Sequence, residues 1–300
     1  MSLQSRAGLR RYVSRPTLWL MLTPYLLGLF GLIGLPSLLA LGFAFTEYNA
    51  LTPPRPVGWA NFARLSHDRL YWTALGNTLL YLLLAVPLRI AGALGLALLL
   101  RLPRRGVAAT RTAVYLPTVI PDIAYALIWL ISFNPLYGPV NLLLGSVGLP
   151  TPAWTIEPWP ARLALVIMAL WQLGEGFVVL LAATRSIPAT LYEVSAIDGA
   201  GAWARFRYLT WPLLLPTLSL LTARDLILSL QATFVPSLIV TKGGPGYATL
   251  FIPLYTYWMA FDDLRFGYAA AVVWTLYGFT LLIVVVQYLL ARRWQAHESY

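Results

Sequence analysis

Hydrophobic residues run through this chain of 300 residues in long continuous blocks, without the alternation of a half-buried strand. From Pro16 to Thr46 no residue is charged, and Arg6, Arg10, Arg11 and Arg15 precede that run. Further apolar stretches follow at about Leu79–Leu100, Ala113–Ile131, Leu163–Ala183, Leu213–Ser229 and Tyr268–Ala291. A helix needs about 20 such residues to cross a hydrocarbon core about 30 Å thick, so the pattern predicts an all-α integral membrane protein with six transmembrane helices. A β-barrel is excluded because its lipid-facing strands alternate apolar and polar positions. The first block exceeds the apolar core of about 7–15 residues in a cleaved signal peptide, so it is expected to be a retained signal anchor.

Composition agrees with lipid as the solvent. Hydrophobic residues make up 59% and charged residues only 11%, with a mean hydropathy of +0.71. A soluble domain carries roughly 25% charge, and a disordered chain needs low hydrophobicity, so both are ruled out. The net charge of +10 is a topology signal before it is a sign of nucleic acid. With six spans starting inside, the inner segments hold Arg6, Arg10, Arg11, Arg15, Arg101, Arg104, Arg105, Arg111, Arg185, Arg205, Arg207, Arg292 and Arg293. The outer ones hold Arg55, Arg64, Arg69, Arg162, Lys242 and Arg265. That bias places both termini in the cytoplasm of a prokaryotic cell (a multi-pass protein of the inner or plasma membrane) and leaves nucleic acid with no support as a partner. Trp19, Tyr48, Trp72, Trp159, Trp211 and Trp294 flank spans, where amphipathic rings favour the interface. The outer stretches Glu47–Asn77, Ser132–Arg162 and Gln231–Gly267 read as ordered loops or short surface helices.

Catalytic and metal chemistry is absent from the pattern. There is no cysteine, and the two histidines, His67 and His297, stand far apart, so neither a metal site nor a zinc-protease motif is expected. No Gly-x-Ser-x-Gly elbow occurs. The single lysine, Lys242, precedes its glycines, whereas a phosphate loop needs glycines first and then Lys-Ser/Thr opening a helix. Work done across the membrane must therefore be driven by a gradient or by a partner.

The inner segment from Ser186 to Pro212 is the most informative. It reads as two short helices around a hinge, with Pro188 in a first turn, Thr190 and Glu193 at capping-box spacing, and Gly199 and Gly201 ending or bending the chain. Trp203 and Phe206, three apart, form an apolar anchor beside Arg205 and Arg207. On these residues alone, an amphipathic helix lying on the inner leaflet, held by arginines and aromatics, is the favoured reading.

This loop resembles the EAA motif in the permease subunits of binding-protein-dependent ABC importers. Glu193-Val194-Ser195, Gly199, Leu209 and Trp211-Pro212 fall at the motif's spacing, inside a longer Leu-Tyr-Glu-x-x-x-Ile-Asp-Gly-Ala form ending at Ala200. Val194 and Ser195 replace two alanines, Leu209 an isoleucine and Trp211 a leucine. The run Thr241-Lys-Gly-Gly-Pro-Gly-Tyr-Ala-Thr249, then Leu254-Tyr-Thr-Tyr257, Ala260-Phe261 and Phe266-Gly-Tyr-Ala-Ala-Ala271, is similar to carbohydrate-importer permeases of the maltose and glycerol-phosphate type, the first of the two paired permeases in particular. Phe45-Thr-Glu-Tyr-Asn49 and Asn77-Thr-Leu add weaker matches.

The resemblance implies the type I ABC importer transmembrane-domain fold. Residues 1–16 would be a cytoplasmic segment, 17–45 the first span and 46–71 an extracytoplasmic loop. The shared domain would run over 72–290, with its coupling loop at 185–212, and 291–300 would form a cytoplasmic tail. It also implies a second homologous permease, a cytoplasmic ATPase dimer carrying ATP and magnesium, and an extracytoplasmic solute-binding protein that delivers a small solute; this chain would bind no cofactor. Glu193, Ala196, Asp198, Gly199, Ala200, Trp203, Phe206 and Pro212 would form the ATPase-coupling surface, and Gly243, Gly244 and Pro245 a loop docking the binding protein. Ionisable residues inside spans face interiors or aqueous cavities, and sugars are held by hydrogen-bonding side chains flanked by aromatic faces, so Glu175, Asp225 and Asp122, the neutral Gln231 and Gln172, and the aromatic Trp171 and Phe234 are the expected solute path, with Arg89, Arg224, Trp129 and Trp274 as further candidates. A non-sugar solute such as a glycerol phosphate derivative or a polyamine, a gradient-driven carrier, and a membrane scaffold are the alternatives.

Overall fold

The computed structural model describes residues 15–102 and 104–296. The expected cytoplasmic segment carrying Arg6, Arg10 and Arg11 lies outside them, as does His297 in the expected tail.

The fold is helical. In chain order it comprises α1 (Trp19–Ala44), β1 (Thr46–Glu47), β2 (Arg55–Pro56), α2 (Ala60–His67), α3 (Arg69–Leu99), α4 (Val107–Val119), α5 (Asp122–Ser132), α6 (Pro139–Ser146), α7 (Pro158–Trp171), α8 (Gly174–Ser186), α9 (Ala189–Ile197), α10 (Ala202–Thr241), α11 (Ile252–Tyr257) and α12 (Phe266–Ala296). Among the described residues, α1, α3, α10 and α12 are each long and apolar enough to span a membrane. The pairs α4 with α5 and α7 with α8 meet the same test jointly, which gives six spans if each pair crosses once. The only strand pairing described is the antiparallel ladder Thr46↔Pro56 and Glu47↔Arg55.

Neither of those two pairs is the straight helix expected from its apolar run. Between α4 and α5 the chain turns by 103° at Ile120-Pro121. Pro121 has no N–H and forces Ile120 out of the helical region, to ψ 128°. Between α7 and α8 the bend is 45°, and Gly174 marks its cause. A Cβ there would lie 2.8 Å from the Val114 carbonyl oxygen and 2.9 Å from the Tyr115 Cα, so only glycine lets the start of α8 cross the backbone of α4.

Helix α3 is the spine. It begins at Arg69, well before the apolar run at Leu79, because the Asp68 carboxylate accepts from the N–H groups of Leu70 and Tyr71 at 2.9 and 3.2 Å. Its first turns pack Tyr71, Ala74 and Leu75 against Leu250, Ile252, Tyr255, Tyr268 and Val272. Its middle, at Tyr81, Ala85 and Val86, joins α5, α7 and Phe251. Its last turns set Ala93 and Ala97 against Phe177, Leu180 and Leu214 of α8 and α10. Small residues permit this closeness: a Cβ on Gly176 would meet the Ala93 Cβ at 3.6 Å.

Helix α10 is longer than its apolar run at Leu213–Ser229. It is continuous over 40 residues with π turns at Phe206–Thr210 and Ser237–Thr241. Pro212 has no N–H to return to the preceding turn, and the backbone widens just before it. The stretch 231–267 is likewise no surface loop throughout, since Leu250, Phe251, Ile252, Leu254 and Tyr255 are fully buried.

Candidate coupling surface and translocation cluster

Helix α9 stands between α8 and α10. Pro188 is its N-cap and the preceding Ile187 is extended, as a pre-proline residue must be. The expected capping box does not form: Thr190 lies inside the first turn, and no side chain caps the helix. Its other end is a Schellman motif, in which Gly199 at φ +79° donates to the Ala196 carbonyl at 3.1 Å and Ala200 donates to Ser195 at 2.9 Å. Asp198 is the C-cap residue and Gly201 leads into α10. The second short helix expected after the hinge is the first turn of α10 itself.

The turn displays apolar side chains that the fold leaves uncovered. Ile197 is 84% exposed and Trp203 73%, with Leu191 and Val194 also exposed, and Glu193, Ala196 and Asp198 stand in solvent beside them. Trp203 and Phe206 pair with ring centroids 5.5 Å apart, and Phe206 packs on Trp211 at 6.0 Å.

One residue of α9 faces inward. The Tyr192 hydroxyl is 2.9 Å from the buried Thr210 Oγ1 in the π turn of α10, and the Arg101 guanidinium lies 4.9 Å over its ring. Arg101 follows the end of α3, and its carbonyl accepts from Arg185 Nε at 3.3 Å. Tyr192 thus ties α9 to the ends of α3 and α10. The sequence reading missed it because the neighbouring Glu193 carried the motif.

The expected path residues separate into three places. Glu175 and Gln172, at the α7–α8 break, line one small pocket with Asp225, Arg89 and Arg224. Arg224 donates to Glu175 at 2.5 Å, and Arg89 is ion-paired to Asp225, whose second oxygen is buried without a partner. Gln231 and Phe234 line a different, mostly apolar cavity of about 360 Å³ with Thr256, Tyr257 and Tyr277. Asp122 is exposed at the start of α5, and Trp171 is 58% exposed, edge-on to Trp129 at 6.1 Å. Among the described residues no cluster of His, Cys, Asp or Glu has the makings of a metal site.

At the far end of α3 the Gly-Gly-Pro loop is held by side chains that the sequence reading left unassigned. Asn77 donates to the Tyr247 and Leu250 carbonyls at 2.7 and 3.2 Å, and Arg162 donates to Ala248 at 3.1 Å and to Asn77 Oδ1 at 3.2 Å. The Thr249 hydroxyl lies 2.7 Å from both Thr241 Oγ1 and the Gly244 carbonyl oxygen. Gly243 is buried, since a Cβ would press on the Trp258 ring at 3.1 Å, while Gly244 and Pro245 are half-buried. Asp68 joins three elements there: Tyr255 and Tyr268 donate to its Oδ2 at 2.5 and 2.6 Å. Burial pushes the Asp68 carboxyl upward, but these hydroxyls and the two N–H groups together hold it below its ordinary value. Burial first, and then the neighbouring carboxylate, raise Tyr255.

A bent, mostly helical bundle with up to six apolar spans and an exposed turn between α8 and α10 is the architecture of a multi-pass membrane protein. Residues 91–296 match the family described as binding-protein-dependent transport system inner membrane component, and this chain belongs to it. It is 32% identical to the probable ABC transporter permease protein YesP of Bacillus subtilis (strain 168), over 93% of this chain and 91% of that one. Against the lactose transport system permease protein LacF of Rhizobium radiobacter it is 34% identical, over 77% and 78%. Among solved structures, a chain of a bacterial alginate ABC transporter in complex with alginate pentasaccharide-bound periplasmic protein superposes with a TM-score of 0.79 at 25% identity, covering 92% of this chain and 94% of that one. The fold is the type I ABC importer transmembrane domain, and the chain is a multi-pass transport component of the membrane.

Proposed function

We propose that this chain forms half of the translocation path of an ATP-driven importer for a sugar or sugar-like solute. The observation that carries the reading is the α9 turn. It presents a surface of Leu191, Val194, Ile197 and Trp203 that none of the described residues covers, rimmed by Glu193 and Asp198. Apolar side chains at such exposure mark an interaction surface, and the chain has no nucleotide loop of its own. A cytoplasmic ATPase dimer, holding ATP and magnesium, is the occupant this reading assigns. Both chain termini then lie on the same side as α9.

Movement of that dimer passes through Tyr192 to α3 and α10, which carry Arg89 and the Arg224-Asp225 pair. The cluster of Glu175, Gln172, Arg89, Arg224 and Asp225 is the polar part of the path, with Asp122 and Trp171 at its margin. Gln231 and Phe234, in the neighbouring aromatic cavity, belong to its outer half. A second permease supplies the facing wall, and a solute-binding protein delivers the solute at the far end, where the exposed tip around the Gly243-Gly244-Pro245 loop adds contact. ATP-driven closure of the ATPases switches access between the two sides as a rigid-body change. Sugar-type cargo is supported by relatives named for lactose, sulfoquinovosyl glycerol and starch degradation products.

The test is reconstitution. Purified complex in lipid vesicles is expected to hydrolyse ATP faster when its solute-binding protein is loaded with sugar. Glu193→Ala should abolish that stimulation while membrane insertion stays intact. A Glu193→Ala complex with normal stimulation removes the coupling role, and sugar uptake that follows an ion gradient without ATP makes the chain a gradient-driven carrier instead.

A further inference from the structure

Three arginines converge on the end of α3 that meets Tyr192. Arg111, in the second turn of α4, donates through Nε to the Leu100 carbonyl at 3.1 Å and through Nη2 to the same oxygen. Arg185, in the last turn of α8, donates through Nε to the next carbonyl along, that of Arg101, at 3.3 Å. Arg101 lays its own guanidinium over the Tyr192 ring, 4.9 Å from the centroid. Arg185 is exposed, and Arg101 and Arg111 are half-buried.

Capping explains where Arg111 and Arg185 point, but it leaves most of the charge over. The C-terminal end of a helix carries roughly half a negative charge, against three full positive ones here. No carboxylate makes up the difference. The sequence has no Asp or Glu between Asp68 and Asp122, nor between Glu175 and Glu193. Among the described residues the ion pairs are Arg89–Asp225 and Arg224–Glu175, and neither involves these three arginines. Depth in the membrane decides which anion meets them. The apolar run Leu79–Leu100 covers about 33 Å at 1.5 Å per residue, enough to cross a hydrocarbon core about 30 Å thick, so Arg101 stands at its boundary, among headgroup phosphates. Within two residues of Arg101, Leu99 and Leu102 are 75% and 52% exposed, which gives acyl chains an open apolar surface beside the charge.

We infer that Arg101, Arg111 and Arg185 form a binding site for the headgroup of an anionic phospholipid, whose acyl chains lie against Leu99. Three uncompensated charges favour a headgroup of net negative charge over a zwitterionic one. The guanidiniums of Arg111 and Arg185, held in place by consecutive carbonyls, keep further N–H groups of their planar forks for the phosphate oxygens. The lipid bridges α3, α4 and α8 beside the contact through which Tyr192 ties α9 to α3, and so braces the base of the exposed turn. Lipid binding here is independent of the solute and partners that the importer reading assigns.

The test is lipid retention, read by native mass spectrometry of the full-length protein in detergent, titrated with dioleoylphosphatidylglycerol or dioleoylphosphatidylcholine. Wild type is expected to hold phosphatidylglycerol about tenfold more tightly or better. Arg111→Gln/Arg185→Gln should weaken phosphatidylglycerol binding about fivefold for each arginine, or about 25-fold together. Arg104→Gln/Arg105→Gln removes two exposed charges from the same loop and should weaken it less than about threefold. If the first variant fails to fold, Arg101→Gln, which leaves both carbonyl caps in place, should still lose about fivefold. Equal losses in the two double variants overturn the site, because the surface is then diffuse positive charge. So does equal retention of the two lipids by wild type. Displacement of phosphatidylglycerol by inorganic phosphate, but not by chloride at the same ionic strength, makes this a small-anion site and overturns the lipid. Unchanged lipid affinity together with loss of the ATPases from the assembled complex gives these arginines to that partner instead.

Discussion

Arg224 and Asp225 are adjacent on α10, yet their ion pairs occupy different surroundings. Successive residues of a helix point about 100° apart, so Asp225 turns toward α3 and Arg224 toward α8. The Arg89–Asp225 side chains are 16% and 9% exposed, those of Arg224 and Glu175 47% and 51%. The buried pair is a fixture, because separating it strands a charge away from water. The open pair is worth about 0–1 kcal/mol, so it can break and re-form as the path changes shape. The contrast shows that a buried ion pair helps fix α3 to α10, whereas α8 is held to them by apolar packing of Phe177 and Leu180 and not by its exposed ion pair.

The strongest way to break the comparison is Asp225→Ala. Leaving Arg89 buried and unpaired is expected to cost about 3–5 kcal/mol and to lower the thermal inactivation temperature of the detergent-solubilised protein sharply. The double replacement Arg89→Met/Asp225→Leu should recover most of that loss. If Asp225→Ala is as stable as wild type, the pair is no fixture.

A second carboxylate, Asp68, tests whether burial or partners matter more. Its folded-state pKa lies below the unfolded one, so its stabilising contribution is complete above about pH 4 and is lost as pH falls through the depressed folded value. Asp68→Asn should remove about 1.5–3 kcal/mol at neutral pH, the worth of hydrogen bonds to a charged group. Its stability curve should also be flatter between pH 5 and 3. An acid limb of unchanged steepness would show that other groups carry it.

Tyr192→Phe removes one hydrogen bond, worth about 0.5–1.5 kcal/mol, and keeps the ring under Arg101. Assembly with the ATPases should persist, while sugar uptake per ATP hydrolysed falls severalfold. An unaltered ratio would mean that motion reaches α10 by another contact.

The smallest structural effect belongs to the exposed pair. Glu175→Gln is expected to shift stability by no more than about 1 kcal/mol and yet to abolish uptake, with basal hydrolysis intact. Unchanged uptake would take Glu175 out of the path and leave the two pairs equivalent in function.

Several of these features were legible in the residues themselves. Gly199 at the end of α9 is placed by the need for a left-handed residue after a helix, and the spacing of Glu193, Gly199 and Pro212 located the inner turn. The apolar blocks located the span regions. The bends at Pro121 and Gly174 were less legible, because a hydropathy profile records only how apolar a run is. Gly174 acquires its meaning from the α4 backbone, some sixty residues earlier in the chain. Nothing local to Asn77, Arg162 and Asp68 reveals their roles, because partners of each lie 85–200 positions away.

The sequence by itself determined that the chain is helical and membrane-embedded and that a glycine-terminated turn precedes its longest helix. Those properties follow from local periodicity, from the charge asymmetry of its loops and from turn chemistry within a few residues. Only the tertiary structure decided which charges are spent on one another. Arg89 takes Asp225 and Arg224 takes Glu175, while Arg55, Arg64 and Arg265 form no ion pair among the described residues. Charge pairing depends on distances of a few ångströms between elements far apart along the chain, and hydrophobic packing of α3 against its neighbours sets those distances.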